Sequence, residues 1–590
     1  MLYSICKDEK PKRTVDRIRK ILGDIGINLQ EILHLEEIEF APVSLRLTLK
    51  NSPLIGTNGK GTNKINALAS GYAEFMERLQ NSYLFPDLER EFDIVSDKKR
   101  IDCSINFKNK YLQNYFDDKL IIFDKLSKKG KNPDKCLFSF PFYSVRERNI
   151  YGLPYNIIDR VKGTNGMAAG NTYEEALVQG LSEVSERYVL KQVFINQIAL
   201  PNIPRDEYLK YDNIRKIIEY FEINGYKVYV KDASLNAKVP VVCTIIEDTK
   251  NNVFTPSFGS HPIFPIAVER TLTEFAQGLT LSKIGNGSIN YPCYTKEKLK
   301  YIDYSLLYRA LSLHKVAFEK TEILEKIFWN NEVSYEFSPS AWISSFDSWD
   351  NKKNLEFLVH KILNFSNDIY VRDVSFLDFP SVDIFIPNVT DLFEYSENFI
   401  EENKFLDIYW SKYYFEVDRA NYNLDNLLKL AEIYTFSDSI YSKNVFCVSF
   451  EYIAFLCSVV CKDLNKIIKY ADILISENRF NQSYDETQIQ IFKIIRDYCN
   501  IKKSKVYDDI CIKGKLLKKY EISEIDYAIS IINELNFDMV LEIVLENKKI
   551  PKTKYKTLLK RLKQKYKANQ PKQMIFQNIF DFDIQESCLI

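Results

Sequence analysis

Apolar residues recur at helical spacing near the start of the chain. Val15, Ile18, Ile21, Leu22 and Ile25 fall on one stripe, which predicts an amphipathic helix over residues 11–32. Two stretches rich in Gly and Asn, NGKGTN (58–63) and GTNGMAAGNT (163–172), read as turns that each run into a long helical pattern. Over residues 210–260 the period switches back and forth. IRKIIEYFEING is helical, KVYVKDAS and VPVVCTII are strand-like, and VFTPSFGSH leads into another helix from about Ile266, just after Pro265. Two more strand candidates, IYVRDVS and VDIFIP, lie between Ile369 and Pro387. Strands alternating with helices predict a mixed α/β (α+β) domain over residues 1–425.

Beyond that point the texture changes. Gly vanishes except for Gly514, and four helical stripes succeed one another: FEYIAFLCSVVC, LNKIIKYADILI, IQIFKIIRDYC and IDYAISIINEL. They predict an all-helical, tetratricopeptide-like C-terminal domain over residues 426–590. The Lys-rich run from Lys552 to Lys572 reads as a solvated helix, the competing reading being a basic contact surface for an RNA-bearing partner.

Composition narrows the setting. The 590 residues carry 80 basic and 80 acidic side chains, so no whole-molecule field steers the chain onto nucleic acid or anionic lipid, and no direct nucleic-acid partner is expected. No apolar run approaches the roughly 20 residues of a membrane span, and the N-terminus lacks the apolar stretch of a secretory signal. The eleven cysteines are scattered and odd in number, which suits reduced thiols and buried small hydrophobes. Cys457 and Cys461 stand at i, i+4, but with only four histidines and no C-x-x-C pair a zinc site is not expected. These features predict a cytoplasmic protein without membrane contact.

The chemistry concentrates in two similar segments, NGKGTNKINALASGYAEFMERL and NGMAAGNTYEEALVQGLSEVSERY, each ending in Glu-x-x-Glu-Arg. On an ideal helix Glu175, Gln179, Glu183 and Glu186 fall within about 80° of arc, with Asn171 beside them. Ser70, Glu74 and Glu77 share a face of the first helix, and Arg270 and Glu274 stand at i, i+4 on a third. Glu-rich helices are commonly solvated faces. Here, however, the carboxylates are flanked by small and apolar residues (Ala67, Ala69, Ala176, Val178, Leu181), and the pattern occurs twice. Clustered carboxylates beside an anion-binding helix start suit Mg2+ bridging to phosphate, with Arg78, Arg187 and Arg270 free to hold carboxylates or phosphates. GTNGKGT has the wrong spacing for a Walker A loop.

With FGSHPIFPIAVERTLTEFAQG, these segments resemble the three diagnostic motifs of the YcaO family over roughly residues 1–425, and the helical remainder resembles that of the family's long bacterial members. The resemblance implies a YcaO-type fold that binds ATP without Walker motifs. It implies Mg2+ on Glu74, Glu77, Glu175, Glu183, Glu186 and Glu274, and nucleotide contacts at Ser70, Asn171, Gln179, Arg187, Arg270, Lys7 and Thr14. The family chemistry it implies is ATP-dependent activation of a backbone amide in a protein or peptide substrate, the amide oxygen being phosphorylated and phosphate then displaced by a nucleophile. The long members imply an accessory role in β-methylthiolation of a small-subunit ribosomal protein, beside a radical-SAM methylthiotransferase. The alternatives are a stand-alone cyclodehydratase or thioamidation enzyme, and a non-catalytic nucleotide-binding scaffold. The proline-free ending DFDIQESCLI and the lack of an evident leader-binding segment argue against dedicated peptide cyclisation. Homodimer formation is left open.

Overall fold

The computed structural model describes residues 7–33, 41–49, 52–85, 99–129 (except 102, 104 and 106), 136–275, 293–313, 316–343, 350–397, 399–400, 423–435, 449–481, 484–504, 507–544 and 552–582. The first helix, α1 (Pro11–Asp24), buries Val15, Ile18 and Leu22 but stops eight residues short of the expected end, and Gly26 with φ +78° turns the chain away. The chain then forms an edge strand, β1 (Leu29–Leu33), whose residues are mostly exposed. It pairs with β2 (Val43–Leu49), which pairs in turn with β3 (Ser52–Gly61).

NGKGTN is therefore no turn. Asn58 to Gly61 lie in β3, opposite Arg46 to Val43. The glycines serve a different need: a Cβ on Gly59 would stand 2.1 Å from the Ala67 carbonyl oxygen, so the strand can press directly on the next helix. That helix, α2 (Lys64–Gln80), is capped by the Asn63 side chain, which accepts from Asn66 N at 2.9 Å.

A six-stranded sheet comes next, built on β4 (Lys99–Ile101), β5 (Leu137–Ser144), β6 (Asn149–Pro154) and β7 (Met167–Ala169) with β13 (Tyr370–Asp373) and β14 (Ser381–Phe385). Helices α3 (Lys110–Lys128) and α4 (Tyr155–Lys162) accompany it. The GTNGMAAGNT stretch does turn, at Gly163 (φ +54°) and Gly166 (φ +87°), then forms β7 and enters α5 (Tyr173–Ile195) through the Thr172 cap. A five-stranded sheet holds β8 (Tyr226–Asp232), β9 (Val241–Asp248), β10 (Val253–Ser260), β11 (Cys293–Tyr294) and β12 (Ala317–Glu319). VFTPSFGS is thus a strand, β10, fully buried and antiparallel to β9. Helix α6 (Asp212–Ile223) packs on β8, α7 (Phe264–Phe275) on β9 and β10, and α8 (Asn351–Leu363) on α5.

α5 packs against β10 of one sheet and β7 and β14 of the other. This explains why Ala176, Leu177, Val178, Leu181, Val184 and Val189 are all buried, leaving only a narrow polar stripe open.

The C-terminal region is helical, as the stripes predict: α9 (Leu424–Thr435), α10 (Phe450–Val460), α11 (Leu464–Asn481), α12 (Glu486–Lys503) and α13 (Ile522–Glu534), successive members packing on one another. The Lys-rich run forms α14 (Lys552–Ala568), but not as a fully solvated helix: Leu559, Leu562 and Tyr566 join the core built by α1, α2 and β2. Farther on, Phe576, Ile579 and Phe580 enter the core around α5 and α8. Cys243, Cys293, Cys457 and Cys499 are buried, whereas Cys461 and Cys511 are exposed, so Cys457 and Cys461 do not share an environment. No helix among the described residues is long and apolar enough to cross a membrane.

Candidate functional site

The open stripe of α5 carries Gln179, Glu183 and Glu186, each half-buried, with Glu175 buried one turn earlier. α2 and α7 bring their own polar residues toward it. At one end Lys7 Nζ stands 3.2 Å from Glu175 Oε1, and Asp8 N donates to Glu175 Oε2 at 2.9 Å. Asn171 Nδ2 donates to the same carboxylate at 3.0 Å, and Thr14 Oγ1 donates to Asn171 Oδ1 at 2.8 Å. Lys7, Thr14, Asn171 and Glu175, up to 168 positions apart in the chain, are thus one hydrogen-bonded group.

In the middle, Arg270 of α7 donates from Nη1 to Gln179 Oε1 at 2.7 Å, and its Nη2 lies 4.0 Å from Glu186 Oε2. Arg187 Nη2 pairs with Glu183 Oε1 at 2.9 Å. Arg78 Nη1 pairs with Glu77 Oε1 at 3.1 Å, and its Nη2 lies 3.8 Å from Glu74 Oε1. Lys60 of β3 pairs with Glu274, which joins the first sheet to α7. Ser70 is half-buried, one turn before Glu74 on α2.

The electrostatics mark a carboxylate-rich centre. Burial holds the Glu77 carboxyl well above the usual carboxylate range; Arg78 opposes the rise, and the charges of Glu183 and Glu74 add to it. Burial also raises Glu74, with Arg78 and Lys60 opposing and Glu183 adding. Glutamates of α2 and α5 therefore face each other closely enough to repel. Buried Glu77 Oε1, Glu183 Oε1 and Arg187 Nη1 lack a well-formed hydrogen bond, although each glutamate oxygen lies beside an arginine nitrogen. Among the described residues no three carboxylate, imidazole or thiol groups converge tightly enough to hold an ion alone. The glutamates lean on arginines and on Lys60 instead. Such a set fits Mg2+, which is held by a few carboxylates together with waters and phosphate oxygens.

The candidate residues lie on α1, α2, α5 and α7, except Lys7 and Asn171, which stand on the segments leading into α1 and α5. His261, at the junction of β10 and α7, is not among the residues that the sequence singles out. It is buried, and its Nδ1 accepts from Ile263 N at 3.0 Å, which leaves Nε2 as the protonated nitrogen. Burial, then Arg270, then Lys7 hold it far below the ordinary imidazole range, so it stands neutral beside both cations. Its signal lay in the FGSHP string, a histidine between a strand and a helix start. Arg46 was also missed; it donates to Asn58 Oδ1 at 3.1 Å and its charge reaches Glu74.

The family model described as YcaO cyclodehydratase, ATP- and Mg2+-binding, matches residues 58–390, a span that contains α2, α5 and α7 whole. The chain belongs to the YcaO family. As a member it binds ATP and Mg2+ within a mixed α/β YcaO-type fold. It is 32% identical over 296 residues to the ribosomal protein S12 methylthiotransferase accessory factor YcaO of Escherichia coli (strain K12), covering 47% of this chain and 50% of that protein. It is 27% identical over 448 residues to an uncharacterized protein of Haemophilus influenzae, covering 73% of each. Among solved structures, a heterocyclase in complex with substrate and cofactor superposes with a TM-score of 0.48 at 16% identity, covering 65% of this chain and 53% of that one. YcaO from Methanopyrus kandleri bound with AMPPCP and Mg2+ superposes with a TM-score of 0.41 at 19% identity, covering 68% of this chain and 94% of that one.

Proposed function

We propose that this YcaO chain is a cytoplasmic Mg2+-ATP-dependent protein that activates a backbone amide in a protein substrate. In this role it serves as an accessory factor for β-methylthiolation of a small-subunit ribosomal protein, beside a radical-SAM methylthiotransferase. The observation that carries the reading is the gathering of acidic stripes from α2, α5 and α7, with their arginines, into one half-buried centre. The ribosomal role is supported by the name of the Escherichia coli relative.

Within this reading Glu74, Glu77, Glu183, Glu186 and Glu274 would hold Mg2+, which when bound would supply the positive charge that a transferring phosphoryl group needs. Arg270, fixed by Gln179, and Arg187, fixed by Glu183, present their remaining donors to the nucleotide, with Ser70 on the facing helix. Glu175 has both oxygens engaged. It takes a metal only by giving up Lys7 or Asn171, so its first task is to hold those two, with Thr14, at the nucleotide end.

Calorimetric titration with a non-hydrolysable ATP analogue and Mg2+ tests the site. Glu186→Gln is expected to weaken binding at least about tenfold, roughly 1.4 kcal/mol, while leaving the circular dichroism spectrum unchanged. Equal affinity for variant and wild type refutes the assignment. Mass spectrometry of the ribosomal protein from a deletion strain tests the role: methylthiolation at the normal level overturns it without touching the ATP site.

A further inference from the structure

From Asn547 to Phe580 the chain carries eleven Lys and Arg and no Asp or Glu, against an even balance over the whole molecule. The helix at its centre, α14, buries its apolar residues: Leu559, Leu562 and Tyr566 are 5%, 0% and 6% exposed in the core they share with α1. Lys560, Lys565 and Lys567 are exposed on it. Two ties fix its direction. Asn569 donates to Asp378, whose carbonyl also accepts from Arg17 of α1, and Arg561 Nη1 reaches the Ile25 carbonyl just past the end of α1 at 3.3 Å. The two helices therefore run in opposite senses over one core. Because both bury their apolar stripes in it, both turn their polar faces outward from the same region. α1 is itself basic, and Lys12, Arg17 and Lys20 are exposed on it as Lys560, Lys565 and Lys567 are on α14.

We propose that the outer faces of α1 and α14 form one binding surface for the phosphate backbone of RNA. The choice of occupant rests on what the surface offers. An interfacial membrane helix needs an apolar face to insert, and here that face is spent on the core. A protein–protein interface centres on aromatic or arginine anchors and is poor in lysine, whereas this surface is rich in lysine and its aromatic Tyr566 is buried. On α14 the exposed cations stand without an acid between them, and α1 adds five basic residues against Asp16 and Asp24, a positive excess of the kind a polyphosphate requires. That the phosphate belongs to RNA rather than DNA rests on the ribosomal reading above. α1 also carries Thr14 and follows Lys7, so an RNA-bearing substrate on this face lies close to the nucleotide end of the site. The even total charge hid this surface, since the expectation of no nucleic-acid partner was drawn from the whole chain.

The test uses the full chain and fluorescence anisotropy with a labelled RNA of about 30 nucleotides. Parallel arms contain duplex DNA of equal length, polyglutamate, and vesicles with an anionic lipid fraction. Two variants separate the helices: Lys560→Gln/Lys565→Gln/Lys567→Gln and Lys12→Gln/Lys20→Gln. Wild type is expected to bind RNA in preference to the other probes. The triple variant is expected to lose at least about tenfold in affinity and to shallow the log–log salt slope by about two, near 0.7 for each phosphate contact removed. The double variant should shallow it by about 1.4. Both should keep wild-type affinity for Mg2+ and the ATP analogue, which shows that they are folded and that the site stands apart from the surface. Unchanged RNA affinity and slope in both variants, or tighter binding of DNA, polyglutamate or vesicles, overturns the proposal.

Discussion

Replacing Glu77 by Gln should make the ligand-free protein more stable and the nucleotide complex weaker. The Glu77 side chain is 10% exposed, its carboxyl is held well above the usual carboxylate range by burial, and Glu183 and Glu74 repel it. A carboxyl whose folded pKa is raised opposes folding once pH exceeds its unfolded value of about 4.3, and it does so at neutral pH. A neutral amide of the same shape removes that opposition. Leaving a buried charged group poorly satisfied costs about 1–3 kcal/mol, from which the weakened tie to Arg78 must be subtracted, so a net gain of about 1 kcal/mol is expected. Mg2+-ATP affinity should fall about 10- to 100-fold, or roughly 1.4–2.8 kcal/mol, because the amide supplies a weaker oxygen donor to the metal. Urea unfolding of the apo protein and then calorimetric titration measure both quantities on one preparation. A variant less stable than wild type, with binding reduced only in proportion, would mean that Glu77 is a structural partner of Arg78 and no part of a metal centre.

The same geometry sets three further outcomes. Because His261 is held neutral beside Arg270 and Lys7, its contribution to stability is complete above about pH 6.5 and is lost as pH falls through that value; thermal scans from pH 7.5 to 5.5 should show a smaller loss for His261→Gln than for wild type. In Gly59→Ala the new Cβ would meet the Ala67 carbonyl oxygen at 2.1 Å, which is backbone and cannot swing aside. This should cost about 1–3 kcal/mol in denaturant unfolding and weaken nucleotide binding by displacing Glu74 and Glu77. Lys298, on the short helix after β11, bridges Glu451 of α10 at 2.9 Å and Glu477 of α11 at 2.8 Å, the three side chains being 0%, 0% and 8% exposed. Lys298→Met should destabilise by about 3–5 kcal/mol, since two carboxylates lose their buried cation, and joint replacement of all three by apolar residues should recover most of that loss in the same unfolding assay.

The parts of the fold that could be read from the sequence are those whose signal is local. The stripes of α10 to α13 each bury their own apolar face against a sequence neighbour, so the period alone reveals them. The stripe of α5 was legible for the opposite reason. That helix is buried almost all round and has no amphipathic period, and what stands out is the one line of glutamates that the two sheets leave open. Signals failed where a residue's purpose lay far away in the chain. The glycines of NGKGTN carry the chemistry of a turn, but Gly59 is small because Ala67 presses on it, a requirement that exists only once β3 and α2 have packed. LQEIL has no alternation to betray β1, since an edge strand with exposed residues on both faces needs none. The run from Lys552 is the clearest case. Leu559, Leu562 and Tyr566 stand at i, i+3, i+7, a helix-docking pattern in full view, yet the lysines between them dominate any average. Their partner is the core of a helix more than 500 residues earlier. The site shows the same division. Its three acidic helices could be named from their own residues, but the influence of Arg270 and Lys7 on His261 comes from the packing of separate elements, so His261 had to be found in space.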